Sequence, residues 1–166
     1  SLPEKDIQEL KILFTEREKL VECLKQMSTT IENEGFYNKD VLKSVLKINQ
    51  TTIKNLKKSI EMIEKRMEEI LSNNESLKEQ VHLVTSIPGI GIQTALYLIL
   101  ATNSFKNFSE WRKLACYAGV VPFEYSSGTS IRGRKKVHTF ADKKMKSLLH
   151  MCALSSIRYN AELKAY

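Results

Sequence analysis

The stretch that decides the fold is LKINQTTIKNLKKSIEMIEKRMEEI, residues 46–70. Its apolar side chains recur at alternating spacings of three and four, and Asn49 is the one polar residue in the series Leu46, Asn49, Ile53, Leu56, Ile60, Ile63, Met67, Ile70. A seven-residue apolar repeat is typical of an α-helix that packs along one stripe against another helix. The stretch therefore predicts a long amphipathic helix, in which Asn49 would fix the register at some cost in stability.

A similar repeat precedes this stretch, with six apolar residues among Ile7, Leu10, Phe14, Arg17, Val21, Leu24, Ser28 and Ile31. Residues 34–38 break the pattern with Gly35 and Asn38, which favour a turn. Two helices of about 30 residues joined there form an antiparallel coiled-coil hairpin about 45 Å long. The alternative is that both helices belong to the core of a larger helical bundle. Further apolar residues lie off the main stripe and predict a homo-oligomer, a dimer or a tetramer, through this hairpin: Leu13, Leu20, Met27, Leu42, Val45 and Met62.

The charge changes beyond the polar segment Ser72-Asn73-Asn74. Residues 1–80 contain 14 Lys+Arg and 15 Asp+Glu (net −1), residues 81–166 contain 12 and 4 (net +8), and the two sums return the chain's +7. A basic half favours a polyanionic partner. We therefore predict two domains: residues 1–74, the oligomerising hairpin, and residues 75–166, a DNA-binding domain.

The second half shows short helical patterns separated by Gly and Pro turns. Helices are predicted over residues 75–86 and 92–102, a third is predicted to begin at the N-cap Ser109 and to stop at Gly119, and a fourth to begin at Thr139, with Asp142 completing a capping box. Residues 120–138 form a basic loop with room for short strands. The predicted fold class is all-α, a hairpin followed by a small helical domain.

The turn Ile87-Pro88-Gly89-Ile90-Gly91 between two apolar helices is typical of a helix-hairpin-helix motif. Gly89 and Gly91 allow a tight turn that exposes backbone N–H groups, and the next helix adds its positive N-terminal end, so a DNA phosphate can bind there. The alternative is a plain corner between helices. The +8 charge of the second half favours phosphate binding.

A cluster of basic residues follows in the loop and the last helix. Lys and Arg at this density release counterions from nucleic acid, although a charge run is more commonly a solvated face. The candidate DNA-binding residues are Arg132, Arg134, Lys135, Lys136, Lys143 and Lys146, with Lys144 in the same run.

Ser127, within Ser126-Ser127-Gly128-Thr129-Ser130, lies in the same loop. A loop serine is most commonly without catalytic function. The histidines are scattered, at positions 82, 138 and 150, so no hydrolase triad is indicated. A serine that attacks a phosphate needs no triad, because neighbouring arginines can stabilise the developing charge.

Taken in order, the motifs in residues 81–160 resemble the C-terminal domain of DEDD-type insertion-sequence transposases of the IS110, IS116 and IS902 group. The residues that carry the resemblance are 87–91, Phe105, Trp111, Tyr117-Ala118-Gly119-Val120-Val121-Pro122 and Ser127-Gly128. The chain departs from the family pattern at the start of the last helix. It has Ala141-Asp142 where Gly-Asn is common, and Lys146 where an arginine is common.

The resemblance implies that Ser127 is a nucleophile that attacks DNA and that the full-length protein is an RNA-guided recombinase. It also implies an N-terminal ribonuclease-H-like domain, missing from this chain, whose four acidic residues hold a divalent metal such as Mg²⁺. We expect no cofactor or metal in the present chain, which would be inactive alone. The alternative is a non-catalytic helix-hairpin-helix module that binds a DNA or RNA backbone.

The remaining features exclude other classes. No apolar run reaches the roughly 18 residues of a membrane-spanning helix, and no signal peptide is evident. The chain begins at Ser1, which suggests a piece of a longer protein. Cys23, Cys116 and Cys152 lack metal-ligand or disulfide spacing, so we expect three buried thiols, which fit a reducing cytoplasm. The family resemblance implies that this is the cytoplasm of a bacterium, where the protein would be associated with the nucleoid.

Overall fold

The computed structural model describes residues 5–32, 39–122, 126–127, 131–132, 137 and 139–165. Contacts divide the chain into two compact units, Ser1–Glu75 and Ser76–Tyr166. The described residues are mostly helical, which confirms the all-α prediction. The elements are α1 (Lys5–Glu32), α2 (Lys39–Asn73), α3 (Glu75–Thr85), α4 (Ile92–Ala101), α5 (Trp111–Tyr117), β1 (Ser126–Ser127), β2 (Ile131–Arg132), α6 (Lys143–Tyr159) and α7 (Ala161–Lys164).

None of the helices in these described ranges is both long enough and apolar enough to cross a membrane.

In the first unit, α1 and α2 pack side by side in opposite directions. As the residue numbers on α1 rise, those of their partners on α2, or directly after it, fall: Asp6 with Asn74 at 2.8 Å, Glu9 with Arg66 at 2.8 Å, and Arg17 with Glu64 at 2.7 Å. The hydrogen bond from Arg66 to Glu9 also raises the pKa of this exposed guanidinium. Arg17, the one charged residue of the first apolar series, thus has a carboxylate partner on the facing helix.

Apolar burial between α1 and α2 is concentrated where the two helices carry these polar pairs. Six positions of the predicted stripes are buried there: Ile7, Leu10, Phe14, Ile60, Met67 and Ile70. Val21, further along α1, is exposed, and Asn49 is half-buried. The predicted turn at residues 34–38 and the side chain of Leu42 lie outside the described residues.

An apolar core lies among the described residues of the second unit. Buried Val84, Ala95, Leu98, Ala118 and Met145 form its centre, and half-buried side chains pack around them. These residues come from α3, α4, the end of α5 and α6, so that four elements share one core. The apolar helix α4 lies in the middle, since half of its ten residues are buried.

Two predicted helix starts are wrong. Helix α6 begins at Lys143 rather than after Thr139, because the Asp142 carboxylate itself accepts the N–H groups of Lys144 and Met145 at 3.0 and 2.9 Å. Helix α5 begins after Glu110, one residue beyond the predicted cap Ser109. The Ser109 hydroxyl lies 3.2 Å from the Lys113 ammonium, where it accepts a hydrogen bond.

The prediction of three buried thiols is correct for one of them. Cys152 on α6 is buried, Cys116 on α5 is half-buried, and Cys23 on α1 is exposed. Cys23 lies between the apolar stripe positions of α1, where a helix faces solvent.

Candidate nucleic-acid interface

The turn at residues 87–91 is held against α6. Gly89 has a φ of +87°, and a side chain there would place its Cβ 2.6 Å from the carbonyl oxygen of Cys152. The hydroxyl of Ser156, one turn further along α6, hydrogen bonds to the carbonyl oxygen of Pro88. Glycine is therefore required at position 89 by both the left-handed backbone and the close approach of α6. Whether Gly89 also contacts DNA stays a prediction.

Gly91 has a different environment. It is exposed, has an extended backbone (φ −85°, ψ 165°) directly before α4, and an added Cβ would meet no atom within 4 Å. The first N–H groups of a helix have no partner within the helix, and glycine offers no side chain to cap them. The start of α4 therefore presents uncapped donors beside open space, which is suited to an anion.

Asp142 fixes the start of α6 to two other helices. Its carboxylate accepts a hydrogen bond from the Tyr97 hydroxyl at 2.7 Å, and its backbone N–H donates to the Tyr117 carbonyl at 2.8 Å. Lys143 and Lys146, both predicted to bind DNA, follow on the same helix with exposed side chains. The geometry therefore places these two ammonium groups on a fixed, solvent-facing helix start.

Lys144 differs from its two neighbours. Its ammonium lies 4.4 Å from the centre of the Tyr97 ring, which is a cation–π distance, and its side chain is half-buried.

Gly119 follows the end of α5 and has a φ of +68°, as its predicted role as a stop signal requires. A Cβ on Gly119 would lie 2.7 Å from the Cβ of Ala141, so the chain before α6 passes directly over this glycine.

The predicted loop of residues 120–138, here called the serine loop, contains a short antiparallel ladder. Ser126 pairs with Arg132 and Ser127 pairs with Ile131 in strands of two residues each. The backbone of Arg132 is therefore directly opposite Ser126, one position from the candidate nucleophile Ser127. The other predicted basic residues of this loop, Arg134, Lys135 and Lys136, lie outside the described residues.

In the part of the chain that the structure describes, no three His, Cys, Asp or Glu side chains lie close enough together to hold a metal ion.

Sequence reasoning missed three residues that organise this surface. The apolar pattern of residues 92–102 does not single out Tyr97, Asp142 is predicted only as the second member of a capping box, and no pattern singles out Ser156. The sequence carries a signal for one of them, because an acidic residue just before a helix is a frequent N-cap. The partners of Tyr97 and Ser156 lie 45 and 68 positions away, so no local pattern reveals them.

Comparison with known proteins assigns the second unit to a family. Residues 81–166, just over half of the chain, match the family model described as the Transposase IS116/IS110/IS902 family. The chain is 29% identical over 96 residues to the pilin gene-inverting protein of Moraxella bovis, which covers 58% of this chain and 30% of that protein. It is 31% identical over 87 residues to the transposase for insertion sequence element IS1111A of Coxiella burnetii, covering 52% of this chain and 23% of that protein.

The chain is also 43% identical, over a shorter stretch of 51 residues, to the 43.6 kDa protein of insertion element IS110 of Streptomyces coelicolor. This match covers 31% of this chain and 13% of that protein. The chain thus spans less than a third of the length of each of these relatives. The matched segment carries the 87–91 turn, the serine loop and the lysines of α6. The chain belongs to the IS116/IS110/IS902 family of transposases.

Proposed function

We propose that the unit formed by residues 76–166 holds DNA in a full-length transposase and supplies Ser127 as the nucleophile that cleaves and rejoins strands. The observation that carries the proposal is the position of Ser127 within the family match, in a two-stranded ladder whose second strand includes Arg132. A guanidinium near an attacked phosphate stabilises the charge that develops in the transition state. The names of two relatives, a transposase and a pilin gene-inverting protein, agree with DNA rearrangement.

The proposed step exchanges one phosphate ester for another. The Ser127 oxygen attacks a backbone phosphorus and loses its proton to water, and the bond from phosphorus to one sugar oxygen breaks. That sugar oxygen leaves and takes up a proton, so that charge and atoms balance. The resulting serine–phosphate ester conserves the energy of the broken bond, and attack by another sugar hydroxyl reverses the step and rejoins the strands.

DNA would be held at two points of the same unit. One is the uncapped start of α4 beside Gly91, and the other is the start of α6 with Lys143 and Lys146. Two contacts connect these helices: the hydrogen bond from Tyr97 to Asp142, and the packing of the 87–91 turn on Ser156. Because these contacts lie near opposite ends of α6, they favour a fixed arrangement of α4 and α6 against which a phosphate backbone can bind.

The family resemblance also suggests a divalent metal and a guide RNA. The described residues do not fit a Mg²⁺ site, since no three suitable side chains gather among them. We therefore assign the metal to the ribonuclease-H-like domain that the resemblance implies. Guide RNA would be a partner of the full-length protein.

The experiment that tests this function is strand exchange by the full-length transposase on DNA carrying the ends of its element. Ser127→Ala is expected to abolish exchange while DNA affinity changes by less than about two-fold, because a loop hydroxyl contributes little to binding energy. The alternative function, a non-catalytic module that holds the backbone, is favoured by the N–H donors at the start of α4. Undiminished exchange by Ser127→Ala would establish that alternative for this unit.

A further inference from the structure

Trp111, at the first position of α5, is the only tryptophan of the chain, and its side chain is 71% exposed. Tryptophan is among the most buried residue types on average, because its large ring gains much from leaving water. A ring that remains in solvent therefore calls for an explanation outside the core of this unit. The neighbouring Arg112 places its guanidinium carbon 5.3 Å from the centre of the Trp111 ring, within cation–π distance.

The charges around Trp111 favour an anionic partner. Lys113 is paired with Glu110 at 3.6 Å, and in the described part of the chain Arg112 has no such carboxylate partner. The exposed ring thus adjoins a positive charge that no carboxylate of the described residues neutralises, and residues 81–166 have a net charge of +8. A protein partner with an acidic surface would satisfy the charge but not the flat ring. A nucleic-acid base satisfies the ring by stacking while its phosphate satisfies the arginine.

The helix that carries Trp111 is held in place. The rings of Phe108, just before α5, and Tyr117, at its end, are 5.2 Å apart in a tilted arrangement. The Tyr117 carbonyl also accepts the N–H of Asp142, which ties the end of α5 to the start of α6. A base that stacks on Trp111 would therefore meet a ring on a supported helix, so that little freedom is lost on binding.

We infer that Trp111 and Arg112 form a stacking platform for an unpaired base of single-stranded DNA. This inference rests on the proposed function, since strand cleavage and exchange produce unpaired bases next to the cleaved site. In duplex DNA the bases are stacked on each other and their faces are covered. The platform therefore distinguishes opened DNA from intact DNA, a distinction that lysines binding the backbone cannot make.

The test uses the 166-residue chain and an oligothymidylate of about ten nucleotides, a length within the range bound by single-strand binding folds. Because Trp111 is the only tryptophan, its emission reports directly on the platform. We expect the oligonucleotide to quench this emission. A duplex or heparin of equal charge should bind with little quenching. Equal quenching by all three polyanions would overturn the platform.

Variants make the test independent of fluorescence. Trp111→Ala should raise the dissociation constant for labelled single-stranded DNA about ten-fold, from the usual contribution of one stacked base, and leave that for duplex DNA within about two-fold. Trp111→Tyr should recover most of the affinity. Tyr159→Ala is the matched control, because Tyr159 is also an exposed aromatic residue next to an arginine in the sequence, Arg158, and the substitution should have no effect.

The outcomes separate the platform from the proposed function. If duplex DNA binds and Trp111→Ala leaves single-strand affinity unchanged, or if RNA of the same sequence binds much more tightly than DNA, the inference about the platform is wrong while the proposed function stands. If neither form of DNA binds, the proposed function fails as well. Circular dichroism of Trp111→Ala confirms folding, which an exposed ring is not expected to affect.

Discussion

The hydroxyl of Tyr97 on α4 donates a 2.7 Å hydrogen bond to the carboxylate of Asp142, the residue that caps α6. One carboxylate thus has two roles, since its other oxygen accepts the N–H groups of Lys144 and Met145. The pair joins the central helix of the core to the helix that carries the candidate DNA-binding lysines.

The first prediction concerns this pair. Tyr97→Phe is expected to lower the free energy of unfolding by about 1 kcal/mol, because one charge-assisted hydrogen bond is lost. Asp142→Ala should cost about 2 kcal/mol, since the helix cap is lost too. Asp142→Asn keeps one acceptor oxygen, which can still cap the helix, and is the control, with a cost below that of the alanine. Urea unfolding measures all three, and equal costs for the asparagine and alanine variants would contradict the capping role.

The second prediction contrasts the two glycines of the 87–91 turn. Gly89→Ala should destabilise the chain by about 2–4 kcal/mol, because the residue has a φ of +87° and the methyl group would collide with α6. Gly91→Ala should cost less than about 1 kcal/mol, because its Cβ would meet open space and only the preference for glycine over alanine at an N-cap is lost. Thermal unfolding of both variants tests this. Similar losses at the two positions would show that the turn does not pack on α6 as described.

The two glycines also illustrate what could be predicted from sequence. The turn itself was predictable, because Pro-Gly and Gly between apolar helices mark a reversal of the chain. The different environments of Gly89 and Gly91 were not, because they depend on the approach of α6 more than sixty positions away. Except for the starts of α5 and α6, the positions of these helices followed from local patterns, whereas the packing partners of the turn are decided by the folded core.

The start of α6 shows the same limit at a helix boundary. Thr139 and Asp142 are both good N-cap residues, and their spacing of three imitates a capping box. The observed cap is Asp142, and its contacts with Tyr97 and Tyr117 favour that position over Thr139. For the serine loop, the sequence suggested short strands, but only the structure gives the register that sets Arg132 opposite Ser126.

The third prediction concerns assembly. Ile48 and Met62 are 67% and 65% exposed on α2 of the described chain, and apolar side chains on a helix face favour a second copy. We expect a dimer through residues 1–74, with the double substitution Ile48→Ser and Met62→Ser raising its dissociation constant about ten-fold or more. Light scattering at micromolar concentration measures both proteins. A parent chain that is strictly monomeric at this concentration would contradict the predicted dimer.

The fourth prediction concerns DNA affinity. Binding of the chain to duplex DNA should weaken steeply between low and physiological salt, because contacts with phosphates release counterions. Arg132→Gln with Arg134→Gln should lower the affinity and reduce the salt slope by about one for each phosphate contact removed.

Lys25→Gln is the control for this measurement, since Lys25 is exposed on α1 in the half of the chain without excess charge. Fluorescence anisotropy with a labelled duplex supplies both the affinity and the slope. Affinity that responds neither to salt nor to the two arginine substitutions would remove the DNA-binding part of the proposal.

The central claim is that Ser127 forms the covalent link to DNA, and trapping that link tests it most directly. The full-length transposase is incubated with a nicked substrate that prevents rejoining, and the adduct is isolated for the parent and for Ser127→Ala, Ser126→Ala, Ser130→Ala and Tyr125→Phe. Tyr125 is included because a tyrosine hydroxyl can also attack a phosphate. We predict that the adduct is lost only in Ser127→Ala and that its phosphoester maps to Ser127; an adduct that survives Ser127→Ala and disappears in Tyr125→Phe would contradict the account and assign the chemistry to tyrosine.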